Sequence, residues 1–503
     1  MRKELFCLPL AACLALTGCG RGEAPASPSP EFALVEAAQP EVARQDFTLP
    51  ADPAGDWNPY AGGKGSNMTL APLIYESLFE LEGDFSWDPL LAKEATASED
   101  GLTWTVTLQE GVSFSNGQAL DAKTALASVN AARDSKSGYA PRLAGVRSVT
   151  AGDDNTLTFT LAAPNARFPA LLDFPIALVD KAGVWGTGPY VVEGDRLVAR
   201  DGWWRGLSVP LAEIPLLEMP DAGALAAAFS TGQLSLAAID PTGSDVLGYG
   251  EGSQSWPYAT SNVLYLGFQC AKGPCKSPEF RRLVSQAIDR EGLAAQILMG
   301  HADPATLPAP VSSGLYEANT AQALALDIDA AAQALDELGY TLGDDGLRKS
   351  GRQDLSLSLA VNSDNVYKER LAQAISEGLE QLGVTVEVKT LAWEDYKKAL
   401  EKGDFDLYLA ECRMTGDLDP TPFLTSGSGL HYGGFYHKEL TGALGEARKT
   451  GEWQDFYDLW AQQVPLAVLC FKNAQLLTQW GQVEGADPTQ GNLFYHIQNW
   501  HIN

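Results

Sequence analysis

The segment from residue 355 to residue 410 constrains the fold most, because it alternates strand and helix patterns. Residues 355–361 alternate apolar and polar side chains, which is the period of a half-buried strand. Residues 367–382 carry apolar side chains at helical spacing, and Gly383 ends that helix. A strand, a helix and a further strand follow at residues 384–388, 394–401 and 405–410. This order predicts parallel strands with right-handed crossovers, and therefore an α/β fold.

Two other regions carry clear local patterns. Residues 101–108 and 155–161 alternate strictly, so we expect residues 81–185 to hold a substantial antiparallel sheet. Ser277 and Pro278 are typical of a helix N-cap and first turn, ahead of apolar residues at helical spacing. The whole chain is therefore expected to be α/β with a β-rich part, or α+β.

The loop that follows the last strand of the α/β segment is the first candidate binding region. In open α/β sheets, ligands bind beyond the carboxyl ends of the strands. Residues 411–420 follow the carboxyl end of the predicted strand 405–410 and include Arg413, Met414, Asp417 and Asp419.

The first 31 residues resemble an export signal followed by a tether. Arg2 and Lys3 precede a short apolar run that ends in Leu16-Thr17-Gly18-Cys19, the pattern of a bacterial lipoprotein signal. We expect residues 1–18 to be removed, Cys19 to be lipidated and residues 19–31 to form a flexible linker. The alternative is an ordinary signal peptide with a cysteine at its cleavage site. The expected location is extracytoplasmic, either on the outer face of the cell membrane or in the periplasm.

The net charge and the hydropathy of the chain limit the kinds of partner and of membrane attachment that we expect. The net charge of −29 argues against nucleic acid and against anionic lipid surfaces. No apolar stretch after Cys19 approaches the roughly 20 residues of a membrane span, so the lipid is the expected membrane attachment.

Four cysteines remain beyond the lipid site. In an oxidising compartment, Cys270 and Cys275 could close a tight loop as a disulfide. Cys412 and Cys470 lie beside apolar strand-like runs, which fits buried free thiols at least as well as a bridge. The histidines form no ligand-spaced cluster with these cysteines, so we expect no metal site and no cofactor.

Several short motifs, in order along the chain, resemble the family 5 extracellular solute-binding proteins, the receptors of peptide, nickel and related ABC importers. The resemblance covers nearly all of the chain after Cys19. The motifs are Asn58-Pro59-Tyr60, Tyr75-Glu76-Ser77-Leu78, residues 100–104 and 111–117, Gly186-Thr187-Gly188-Pro189-Tyr190, residues 286–290, and Asp417-Leu418-Asp419-Pro420 ahead of Phe423-Leu424.

The resemblance implies a periplasmic-binding-protein-like fold of two lobes joined by a hinge. The first lobe would have a base of residues 32–80, 186–260 and 475–503, and a small β-rich subdomain of residues 81–185. The second lobe would be residues 261–474. The protein would be a monomer that closes over a peptide and docks on the transmembrane subunits of an ABC permease, with no catalysis of its own.

The same resemblance suggests site residues in the loop after residue 411. Peptide receptors of this family use an aspartate, here Asp417, to pair with the ligand's α-ammonium group. Asp417 could instead be a turn residue that bonds its own loop. Met414 stands where peptide receptors often place a cleft-lining tryptophan. Arg413 could receive a ligand carboxylate, or could pair with Glu411 or Asp417.

Three aromatic residues are further cleft candidates. Trp57, Tyr60 and Trp393 could cover the side chains of an extended ligand, or could pack inside a lobe.

Other functions stay open within the same family. The solute could be an oligosaccharide or a nickel chelate, with His431 or His437 contributing, and a surface peptide receptor without transport is a further alternative. An enzyme is disfavoured because the chain lacks the serine-hydrolase, zincin and phosphate-loop motifs.

Overall fold

The computed structural model describes residues 46–62, 65–135, 137–152, 155–244 and 252–503. The predicted signal, Cys19 and the linker lie outside these residues. No helix in the described ranges combines the length and the apolar character that crossing a bilayer requires.

Seven strands of the described chain form the largest sheet. Across the sheet, they are Leu236–Ile239, Leu466–Gln479, Ser253–Phe268, Leu407–Arg413, Ser356–Asn362 and Thr385–Leu391, with Ala302–Pro304 beside Leu466–Gln479. Strand Ser356–Asn362 runs parallel to both of its neighbours, as the alternation of strands and helices predicts. The α/β prediction for this segment is confirmed.

Local sequence signals set the helices around this sheet. The Asn365 side chain caps helix Val366–Glu380, and Gly403, in the left-handed region, ends helix Trp393–Lys402. Ser277 caps helix Pro278–Gln286 as predicted. The other helical segments of this part are Pro274–Lys276, Arg290–Gly292, Leu293–Ile297, Ala318–Ala321, Gln322–Leu324, Ile328–Glu337, Thr421–Leu424, Lys438–Thr450 and Gln454–Gln463. A small sheet of Thr341–Leu342, Arg348–Ser350 and Gln353–Asp354 adjoins them.

The amino-terminal half is built on two smaller sheets. The antiparallel sheet predicted within residues 81–185 is present, in the order Ala92–Ala97, Thr103–Leu108, Thr156–Leu161 and Val146–Ala151. The other sheet has the order Leu49–Ala51, Glu213–Glu218, Arg196–Ala199 and Tyr190–Glu193.

Short paired strands and helices complete this half, and some of them come from the carboxyl-terminal end of the chain, which packs here. The paired ribbons are Phe79–Leu81 with Trp87–Pro89, Leu178–Val179 with Val184–Trp185, and Val483–Glu484 with His501–Ile502. The helices are Gly65–Thr69, Ala71–Ile74, Ala122–Asp134, Ala140–Leu143, Phe168–Leu171, Ala222–Ser230 and Ile497–Asn499.

Two long antiparallel strands connect the two halves. Residues 253–259 of Ser253–Phe268 pair with residues 473–479, and residues 263–267 pair with residues 466–471. The register shifts between Ala259 and Val263. This irregularity lies close to residue 260, where the predicted first-lobe segment 186–260 ends and the predicted second lobe begins.

Each half has its own large hydrophobic core, and some residues of the amino-terminal half enter the core of the α/β half. Leu81, Phe85 and Ala170, from the amino-terminal half, are buried in the core of the α/β half. The β-rich subdomain is therefore packed directly on the α/β half.

The predicted disulfide between Cys270 and Cys275 is wrong, because both are free thiols in the structure. The Cys270 thiol is directed at the carbonyl oxygen of Phe268, 3.6 Å away, and Cys275 is buried in the one-turn helix Pro274–Lys276. Burial raises the pKa of Cys270 to about 11, which keeps its thiol protonated. Cys412 and Cys470 are also free, as the apolar surroundings in the sequence indicate.

Candidate functional site

A cleft between the two halves holds two adjoining cavities of about 420 and 540 Å³. These volumes are in the range that binding sites for small solutes occupy. The two cavities share six of their lining residues, which are Met68, Tyr139, Arg142, Asp173, Arg413 and Gln490.

Separate parts of the chain bring the polar cleft residues together. Arg142 comes from the one-turn helix Ala140–Leu143, and Arg413 is the last residue of strand Leu407–Arg413. Gln490 comes from the carboxyl-terminal segment. The position of Arg413 at the carboxyl end of a strand agrees with the predicted location of the site.

Gln490 and Ser261 hold the start of the candidate loop in place. The Gln490 side-chain oxygen accepts from the Ser261 backbone nitrogen at 2.5 Å and from its hydroxyl at 3.0 Å. The single Ser261 hydroxyl hydrogen is shared between this oxygen and the Met414 carbonyl oxygen, which lies 2.6 Å from the hydroxyl oxygen. The Met414 nitrogen donates to the Ser261 carbonyl oxygen at 3.0 Å. The cleft wall at Arg413 and Met414 is therefore tied to the strand that crosses between the halves.

Arg142 and Arg413, the two arginines that line both cavities, differ in their pairing. Arg142 forms an ion pair with the buried carboxylate of Asp173 and also donates to the Asp173 carbonyl oxygen at 3.2 Å. Arg413 donates through Nη2 to the Gln490 carbonyl oxygen at 3.3 Å, and this leaves most of its five N–H donors for other partners. Burial lowers the pKa of Arg413, and the nearby Arg142 lowers it further. The guanidinium nevertheless stays charged near neutral pH.

Two glutamates on the first-lobe wall of the smaller cavity are shielded from water. Glu76 accepts from the indole nitrogens of Trp203 and Trp204 at 3.2 and 2.6 Å. Burial raises the pKa of Glu76 to about 7. Glu80 accepts from Asn492 Nδ2 at 2.7 Å, and burial raises its pKa as well.

Asp417 does not line this cleft in the structure. Its side chain is 4% exposed and accepts from the Thr415 hydroxyl at 2.6 Å and from Asn165 Nδ2 at 2.8 Å. Its carbonyl oxygen accepts from Arg167 Nε at 3.1 Å. Burial raises the pKa of Asp417, and the neighbouring Asp419 raises it further.

The backbone around Asp417 is in close contact with the β-rich subdomain. A Cβ atom on Gly416 would lie 2.6 Å from the carbonyl oxygen of Ala170, so only glycine fits there. Asp419 accepts from the Thr421 backbone nitrogen at 2.9 Å and pairs with Arg448 at 3.2 Å, so it has a structural role in the loop. Residues 415–419 thus form a closure contact, by which we mean their packing on residues 165–170.

The other predicted residues are divided between the cleft and elsewhere. Met414 is buried and lines the larger cavity. Tyr60 is a core residue whose hydroxyl donates to the Pro175 carbonyl oxygen at 2.7 Å. Trp57 lines a separate cavity in the first lobe. Trp393 is 49% exposed and stacks on Tyr396, with ring centroids 5.9 Å apart.

The histidines considered for nickel have local bonding roles. His431 Nε2 lies 2.7 Å from the Phe435 carbonyl oxygen, and the His437 side chain caps helix Lys438–Thr450. In the described ranges, no group of three or more histidine, cysteine, aspartate or glutamate side chains could hold a metal ion.

The sequence reasoning missed Tyr139, Arg142, Asp173 and Gln490. They lie outside the helix and strand patterns, and no periodicity marks them. The sequence could have indicated Glu76 as a site residue, because it belongs to the motif Tyr75-Glu76-Ser77-Leu78.

Comparison with known proteins gives consistent results. Residues 86–431 match the profile of "Bacterial extracellular solute-binding proteins, family 5 Middle". Protein XP55 of Streptomyces lividans is 28% identical over 382 residues, covering 70% of this chain and 69% of that protein. The nickel-binding periplasmic protein of Escherichia coli (strain K12) is 28% identical over 362 residues, covering 64% of this chain and 66% of that protein.

The fold also matches solved structures. The oligopeptide-binding protein AppA from Bacillus subtilis, in complex with a nonapeptide, superposes with a TM-score of 0.60 at 20% identity, covering 91% of this chain and 99% of AppA. The two-lobe fold is therefore the one seen in periplasmic binding proteins. The chain belongs to family 5 of the bacterial extracellular solute-binding proteins, which deliver solutes to ABC permeases and are not enzymes.

Proposed function

We propose that the protein captures short peptides, or peptide-like solutes with a carboxylate, in the interlobe cleft and delivers them to an ABC permease. The observation that carries the proposal is Arg413, a charged guanidinium in the cleft wall with donors to spare. A carboxylate would accept two parallel hydrogen bonds from it. Such a contact is worth roughly 1.5 to 3 kcal/mol, enough to set the orientation of the ligand.

The charges around the cleft support a zwitterionic ligand. Arg142 is neutralised by Asp173, and Arg205 lies over the ring of Trp203, 5.3 Å from its centroid. We therefore assign the cationic end to Arg413, which lines both cavities. Glu80 lines the smaller cavity and is a candidate partner for a ligand ammonium group. Met414 and Tyr139 add an apolar wall. We assign Asp417 to the closure contact, because both of its oxygens already have donors.

Closure would follow from contacts with both lobes. Arg413 and Met414 lie on the second lobe, whereas Tyr139 and Glu80 lie on the first. A ligand that binds both sets stabilises the closed arrangement over an open one by its differential affinity.

A nickel chelate is the second candidate. It is favoured by the E. coli relative, whose name states nickel binding, and by Arg413, which suits the carboxylates of an organic chelator equally well. Since the described residues contain no metal-ligating cluster, the chelator would have to supply the metal ligands.

Lipid attachment through Cys19 is part of the proposal. A tethered receptor stays at high effective concentration near its permease. Metabolic labelling with palmitate should mark the native protein and leave the Cys19→Ser variant unlabelled. Equal labelling of both would remove Cys19 as the anchor.

Native mass spectrometry of the purified protein, with metal analysis of the same sample, tests the solute. We expect a co-purifying peptide, released on denaturation, to rebind with its free carboxyl terminus at least about tenfold more tightly than as its amide. Equal affinity of acid and amide would contradict the proposal. A stoichiometric metal with an organic chelator would favour the second candidate.

A further inference from the structure

The first lobe contains another cavity, of about 560 Å³, separate from the interlobe cleft. Among the described lining residues, Tyr75 is the one shared by this cavity and the cleft. We call it the first-lobe cavity. Its walls come from residues 55–57, 74–75, 115, 184–185 and 191–193.

These walls are held by hydrogen bonds and close packing. The Tyr75 hydroxyl donates to the Trp57 carbonyl oxygen at 2.8 Å. Strand Tyr190–Glu193 is paired along its length with Arg196–Ala199. Gly186 packs so tightly that a Cβ atom there would lie 1.9 Å from the Ile74 carbonyl oxygen. The cavity is therefore a preformed feature of the lobe.

The interior of the first-lobe cavity is aromatic and apolar. Trp57, Tyr75 and Trp185 line it, together with the aliphatic residues Ile74, Val184, Val191 and Val192. Trp185 Nε1 is buried and has no hydrogen-bond acceptor among the described residues. A buried N–H group without an acceptor is uncommon in native proteins. A bound molecule with an acceptor atom would satisfy it.

The charged groups of this cavity are both acidic. Asp56 and Glu193 are exposed members of its lining, and the described lining contains no basic residue. Indole and phenol faces attract cations, and adjacent carboxylates add to that attraction. The net charge of −29 favours the approach of a cation from solution.

We propose that the first-lobe cavity is a second binding site, for a small organic cation whose aromatic or apolar body carries a hydrogen-bond acceptor. The body stacks in the space between Trp57 and Trp185, and the ammonium group lies near Asp56 and Glu193. The proposal does not depend on which solute the interlobe cleft binds.

Tyramine is a suitable probe, and 4-hydroxyphenylacetate is its anionic counterpart with the same ring and hydroxyl group. The protein is labelled with 5-fluorotryptophan, and the Trp57 and Trp185 signals are assigned with Trp57→Phe and Trp185→Phe. We expect tyramine to shift both signals saturably and 4-hydroxyphenylacetate to leave them unchanged. The double variant Asp56→Asn, Glu193→Gln should raise the tyramine Kd at least about fivefold.

Two further variants keep the test decisive. Val191→Phe fills the cavity and should abolish the shifts. Glu401→Gln changes an exposed acid on helix Trp393–Lys402, away from the cavity lining, and should leave the shifts unchanged. The thermal midpoint of each variant confirms that it is folded. Absence of a saturable shift, an equal response to 4-hydroxyphenylacetate, or shifts that persist in Val191→Phe would each overturn the proposal.

Discussion

Arg413 ends a strand and Asp417 lies four residues later in the loop that follows, yet the two charged side chains have opposite surroundings. Arg413 faces the interlobe cleft and keeps donors available. Asp417 is buried against the β-rich subdomain with donors on both oxygens. A buried charge that already has its partners holds the structure together, whereas a charge with free donors in a cleft can bind a ligand. Residue type and motif alone do not separate these two cases.

Glu76 is a third case, a carboxylate in the cleft wall that is shielded by tryptophans. Burial raises its pKa from 4.5 to about 7. Since the folded state binds the proton more tightly, this contribution to stability is fully present below pH 4.5 and is lost as the pH rises through about 7.

Glu76→Gln should remove that pH dependence. Between pH 4.5 and pH 8, we expect the free energy of unfolding of the variant to rise relative to the native protein by roughly 3 kcal/mol. Denaturant titrations at a series of pH values measure this. If the unfolding free energies of the variant and the native protein changed in parallel with pH, Glu76 would be exposed to water, contrary to this prediction. Glu401→Gln, which changes an exposed acid, is the control.

Asp417→Ala tests the buried member of the comparison. The change leaves Asn165 Nδ2 and the Thr415 hydroxyl without their acceptor. We expect the free energy of unfolding to fall by about 2 kcal/mol, measured as a lower thermal midpoint. An unchanged midpoint would mean that the closure contact contributes nothing to stability.

Features set by residues close together in the sequence could be predicted, whereas contacts between residues far apart in the sequence could not. The period of residues 355–410 predicted the strands and helices, and the order of strands located Arg413 at a carboxyl end. Asn165, which binds Asp417, lies 252 residues away in the sequence. No local pattern encodes such a contact, and the same limit hid Arg142, Asp173 and Gln490.

Tertiary packing also decides between the two alternatives for the aromatic candidates. Tyr60 and Trp57 both follow the turn at residues 52–55, but Tyr60 packs in the core whereas Trp57 lines the first-lobe cavity. Burial of an aromatic ring stabilises the fold as readily as it binds a ligand, so residue type alone could not decide between them.

Asp417→Asn should have the smallest effect on stability. Asparagine keeps one acceptor for Asn165 and can donate to the Thr415 oxygen, while it removes a buried charge. We expect a change below about 1 kcal/mol near neutral pH, with the variant gaining relative to the native protein as the pH rises, because the pKa of Asp417 is raised in the folded state. A large loss in thermal melting would show that the charge itself is required.

Calorimetric titration of the co-purified peptide into the native protein, Arg413→Ala and Asp417→Asn compares the two charges in one measurement. The account predicts that Arg413→Ala weakens binding at least about tenfold with an unchanged thermal midpoint, and that Asp417→Asn stays within about twofold of the native protein. The reverse result, with affinity lost in Asp417→Asn and kept in Arg413→Ala, would contradict it and restore Asp417 as the partner of the ligand's ammonium group.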